Sequence, residues 1–150
     1  MTKKADFNAD EWSKVVEGPL LAGMRVVTAD RGGTIRESLA MGQVYAQARQ
    51  QQGASELLDE LVATPPAIDP ARTRSSGDVG QSSSDGLRAA VGLLEQKASP
   101  EELGAYRGFV RDVARAVARA HKEGGFLGLG GKEVSPAEQV ALDEIEAALS

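Results

Sequence analysis

The 150-residue chain contains no cysteine. Disulfide scaffolds, thiolate metal sites and cysteine nucleophiles are thereby excluded. Aromatics are scarce at 4%, so a core must come from Leu, Val, Ile and Ala. Such a core suits close-packed helices better than a sandwich of aromatic and β-branched strands. No run approaches the ~18 apolar residues that cross a bilayer, so no membrane span is expected. Met1-Thr2-Lys3-Lys4-Ala5-Asp6 carries basic residues with no apolar stretch behind them. No signal peptide is therefore expected, and the location read from the sequence is cytoplasmic. Basic excess is also missing. A net charge of −5 disfavours a general nucleic-acid binder, which needs a basic surface to release counterions.

What remains is ample for one core. The hydrophobic fraction is 41%, and the length suits one helical domain over residues 1–150. Four segments open with a capping residue followed three positions later by Glu: Asn8…Glu11, Thr34…Glu37, Ser99…Glu102 and Ser135…Glu138. In this pattern the cap oxygen accepts an orphan backbone N–H and the Glu reaches back to the cap's own N–H. Pro100 and Pro136 stand at the first helical position, where a missing N–H costs nothing.

Apolar spacing then places the helices. A first helical region runs from about Ala9 to Thr28, with Trp12, Val15 and Val16 inward and a break or kink at Gly18-Pro19. Leu20, Leu21, Met24 and Val27 continue it, although Met24 to Ala29 also reads as a short strand. A second helix, Ile35 to about Gln51, sets Ile35, Leu39, Gly42, Tyr45 and Ala46 on one side. A third spans about Ser55 to Ala63, with Leu57, Leu58, Leu61 and Val62. Residues 64–84, with three prolines and two serine clusters, predict a mobile loop. A fourth helix follows over about Asp85 to Ala98, facing Leu87, Ala90, Val91 and Leu94 inward. The fifth, Pro100 to Glu123, is the best formed, with Leu103, Tyr106, Val110, Val113, Val117 and Ala120 at three- and four-residue steps. The sixth buries Ala141, Leu142, Ile145 and Leu149. The expected fold is all-α, a compact bundle of five to six helices with one long flexible loop.

Few constellations suggest chemistry. The glycine loop Gly124 to Gly131 lacks the Gly-Lys-Ser/Thr of a phosphate loop, since Glu133 follows Lys132, and it follows a helix rather than a strand. Its Phe126, Leu127 and Leu129 either tuck into the core or, if exposed, form a partner-docking patch. Arg107, Arg111, Arg115 and Arg119 wind slowly along one helix. They read as a solvated row, as partners for Asp143, Glu144 and Glu146 of the sixth helix, or as a strip that contacts phosphates or a protein partner. Asp6, Asn8, Asp10 and Glu17 approach a calcium loop, but Glu11 stands where that loop requires glycine. His121 is the lone histidine, without companions for a zinc or haem site, and no Gly-x-Ser-x-Gly elbow is present. No Glu-x-x-His pair marks a di-metal bundle. No cofactor is expected.

Residues 113–149 combine an Ala-rich helix, a glycine turn and Val134-Ser135-Pro136-Ala137-Glu138 opening an amphipathic helix. In this they resemble the second half of the tellurite-resistance TerB-like helical proteins. The resemblance implies an all-α fold, a link to stress responses, and divalent metal held by acidic residues near the turn. The family's Asp-Gly before Val-Ser is replaced here by Gly124 to Glu133, which leaves Glu133 and Glu138 as the nearby oxygen ligands. The expectation from the residues themselves is a non-catalytic helical module acting through a protein partner or as a homo-oligomer. The alternative is a metal-responsive stress protein of the TerB-like kind.

Overall fold

A computed structural model describes residues 3–27, 34–51, 55–63, 79–123 and 136–150. After a short 3-10 turn at Lys4–Asp6 come six α-helices among the described residues: α1 (Ala9–Val27), α2 (Thr34–Gln50), α3 (Glu56–Ala63), α4 (Val79–Lys97), α5 (Pro100–Glu123) and α6 (Pro136–Leu149). No strand occurs among them, so Met24 to Val27 belong to α1 rather than to a strand. The chain is an all-α bundle. No described helix is long and apolar enough to cross a membrane.

Two capping boxes close as the sequence predicts. The Glu11 N–H donates to Asn8 Oδ1 at 2.8 Å and the Asn8 N–H to Glu11 Oε1 at 3.1 Å. The Glu102 N–H donates to Ser99 Oγ at 3.2 Å and the Ser99 N–H to Glu102 Oε2 at 3.3 Å. The Asn8 backbone bond and the Lys97 ammonium hold the Glu11 carboxyl below the usual carboxylate range. Ser135 and the side chains of Thr34 and Glu37 lie outside the described residues. Helix α3 has a cap of a different kind: Ser55 Oγ accepts the Leu58 N–H at 3.4 Å. Leu58 stands where a box would have Glu, so this cap is not a box.

Helices α1 and α5 form the centre. α1 packs against α4 and α5, α2 against α5, α6 against α4, and α3 against α2. Val15, Leu57, Leu87, Leu94, Val110, Val113 and Val117 are fully buried. The inward faces of α3, α4, α5 and α6 are those the spacing predicts wherever their side chains are described, with Leu58 and Leu142 half-buried at the margin; the side chain of Ala120 lies outside the described ones.

Three expectations need correction. Helix α1 runs through Gly18-Pro19 without ending. Pro19 has no N–H to give the Val15 carbonyl one turn back, and the buried Tyr106 hydroxyl donates to that carbonyl at 2.8 Å instead. Burial pushes the Tyr106 hydroxyl far above the ordinary tyrosine range, with the nearby Tyr45 adding to the shift. Second, the loop predicted over 64–84 overlaps α4, which starts at Val79 and buries Ser83; residues 64–78 lie outside the described ones. The helix thus runs through serines that propensity alone would leave outside it. Third, the predicted face of α2 holds only in part. Tyr45 is buried as expected, but Leu39 is 63% exposed and Ala46 is exposed, while Ala40 and Met41 are buried in their place. A β-carbon on Gly23 of α1 would collide with Met41 Sδ, so that glycine makes the space that admits Met41.

Candidate functional site

The four arginines of α5 advance by about 40° of helix rotation per step, or about 120° over the row. That drift distributes them among different neighbours. Arg107 faces α4 and meets Glu95 at 3.5 Å. Arg111 faces α6, its Nε donating to both Glu146 oxygens at 2.8 and 3.0 Å. Nearby, Arg25 of α1 donates to Glu144 at 2.8 Å. Arg115 and Arg119 are exposed and have no ion pair among the described residues. The strip is therefore two things: a pair of ties to neighbouring helices, and a pair of unmatched cations.

Those two cations stand at one end of an open groove of about 510 Å³ between α2, α3 and α5. Val44 and Ala48 of α2 and Leu58 of α3 form its apolar wall, with Gln47, Gln51 and Asp59 on the rim. Helix α5 supplies Ala105, Gly108, Phe109, Asp112 and Ala116 along the floor. Phe109 stands edge-on to Tyr45, with ring centroids 5.0 Å apart and planes at 75°, a favoured aromatic geometry. The Tyr45 hydroxyl is buried without a hydrogen-bond partner, and burial pushes it far up from the ordinary tyrosine range. Arg49 fixes the far wall by donating from Nε to the Val62 carbonyl at 2.6 Å, a cation at the C-terminal end of α3. A smaller depression of about 240 Å³ lies between α5 and α6, between Arg111, Arg115, Leu142 and Asp143.

The glycines of α1 and α5 stand in different surroundings. On Gly18 a β-carbon would meet the Tyr106 hydroxyl and, at 3.2 Å, its Cζ. On Gly104 and Gly108 it would meet nothing within 4 Å. Neither has the positive φ that would demand glycine. Internal packing does not require them, although each weakens the helix relative to alanine by about 1 kcal/mol.

Of the other predicted site residues, Phe126, Leu127, Leu129 and Glu133 lie outside the described residues. Glu138 is 2% exposed, on the inner side of α6. His121 is in the last turn of α5, and its side chain is outside the described ones. No group of three metal-ligating side chains occurs among the described residues. Sequence reasoning found Arg115 and Arg119 but missed Val44, Leu58, Gly108 and Asp112. The available signal was a pair of glycines four apart in the best-formed helix.

Comparisons with protein-family models, with curated proteins and with solved structures give no match.

Proposed function

We propose that the chain is a non-catalytic helical module that works in the cytoplasm through contact with a protein partner or with itself. One observation supports the reading: an open groove between three helices, with an apolar wall, unmatched charges, and Ala105, Gly108 and Ala116 along its floor. Apolar surface framed by polar groups is a common composition of contact surfaces. The link to stress responses that the TerB-like resemblance implies belongs to the same proposal. No observation among the described residues favours the divalent-metal alternative.

Light scattering over a wide concentration range, with affinity capture by the immobilised chain, tests this. The expected result is self-association, or a bound protein, that Gly108→Gln reduces while the helical circular-dichroism spectrum is kept. A chain that stays monomeric and captures nothing the variant releases overturns the reading.

A further inference from the structure

The charges along the outer side of α5, three of them lining the groove and Glu101 lying beyond its lining, say what kind of helix would fit there. On α5 the residues Glu101, Ala105, Gly108, Asp112, Arg115 and Arg119 follow alternating steps of four and three, the spacing of a two-helix seam. Glu101, Asp112, Arg115 and Arg119 are exposed and form no ion pair among the described residues. Glu101 thus stands at the N-terminal end of the seam, Asp112 just past its middle, and the two arginines at its C-terminal end.

A uniformly acidic partner helix would suit Arg115 and Arg119 but repel Glu101 and Asp112. A basic one would do the reverse. The pattern calls for a helix with both signs in the opposite order, which is this helix turned end for end. Resting on the contact reading above, we propose that the groove is occupied by α5 of a second copy of this chain, antiparallel about a two-fold axis. Centred between Gly108 and Asp112, that pairing sets Glu101 against Arg119 of the other copy, Ala105 against Arg115, and Gly108 against Asp112. The two-fold repeats each pair. A parallel pairing would instead stack Glu101 on Glu101 and Arg119 on Arg119, which repel. Gly104 and Gly108, open on their outer side, let the two backbones approach closely. Val44 and Leu58 supply the apolar wall beside the incoming helix.

Sedimentation equilibrium of the full chain reads the result. The wild type is expected to dimerise. Glu101→Arg and Arg119→Glu, each alone, turn both symmetry-related attractions into repulsions and weaken the dimer by about tenfold or more. The double variant E101R/R119E restores the attraction in reverse and recovers most of the wild-type affinity. Gly108→Gln also weakens the dimer, and its retained helical circular-dichroism spectrum shows that the fold is kept. A monomeric wild type overturns the proposal, while a foreign partner captured through the groove would leave the contact reading standing. A dimer indifferent to the single charge reversals and to Gly108→Gln overturns this pairing and moves self-association to another face. Single variants that weaken the dimer with no recovery in the double overturn the antiparallel register.

Discussion

Two pairs of helix glycines answer opposite demands. In α1, Gly18 and Gly23 are buried, and a methyl group on either would enter space held by Tyr106 or Met41. In α5, Gly104 and Gly108 look outward, and a methyl group on either meets nothing. The local cost to the helix is similar in all four. In α1 it is offset by contacts with neighbouring helices of the same chain. In α5 no such contact exists among the described residues, which leaves the outer side of that helix open as a surface for another molecule. A glycine in a helix becomes informative only once its neighbours are known.

The largest expected effect comes from closing the inner pair. Gly18→Ala should cost about 2–3 kcal/mol in urea unfolding, because it drives Tyr106 out of a tightly packed site and off the Val15 carbonyl. Tyr106→Phe alone should cost about 1–2 kcal/mol by leaving that carbonyl without a donor. In the double variant the collision is relieved, so the combined loss should be smaller than the sum. Strict additivity would mean that glycine and tyrosine are not matched.

An intermediate effect follows from the two tyrosines of the inner region. Both hydroxyls titrate well above the ordinary value of 10.0 because they are buried. Their neutral form is favoured by folding. The stabilisation is therefore complete below the unfolded pKa and is lost as pH rises above it. Ultraviolet difference spectra should show almost no tyrosinate in the folded protein at the pH where free tyrosine is half ionised, then a cooperative rise coincident with loss of helix. A gradual rise while the helix persists would place a tyrosine in solvent and blur the contrast between inside and outside.

The smallest effect has the opposite sign. Gly104→Ala should stabilise the monomer by about 0.5–1 kcal/mol, through helix propensity and a less flexible unfolded chain. Thermal melts at low concentration would measure it. A destabilisation as large as that of Gly18→Ala would erase the distinction between the two pairs.

Most of the architecture could be read from local chemistry. Asn8, Glu11, Ser99 and Glu102 close their boxes because capping depends on residues three apart. The stripes of α4 and α5 were legible because their apolar residues fall on one face only. Helix α2 offers apolar residues on more than one side, and the choice of Met41 over Leu39 rests on a glycine in α1. Nothing within α2 records it. The start of α4 was hidden for a related reason, since Gly80 and Ser82 to Ser84 are weak helix formers, and the burial of Ser83 is set by the fold rather than by its neighbours in sequence. Of the groove, the arginine row was visible, and so was its match to the acidic residues of α6, realised at Arg111 and Glu146. That Arg115 and Arg119 would lie beyond those partners depends on how three helices lean together.

Aliphatic stripes are nearly indifferent to sliding. Moving α5 along α1 by one turn, about 5.4 Å, would still set hydrocarbon against hydrocarbon. The carbonyl that Pro19 leaves unpaired removes that indifference. Only a donor at one height can satisfy it, and Leu103 and Val110, the seam neighbours of Tyr106 on either side, carry none. A break in one helix's bonding thus acts as an index mark for another, converting a greasy contact that tolerates several alignments into one that accepts a single alignment.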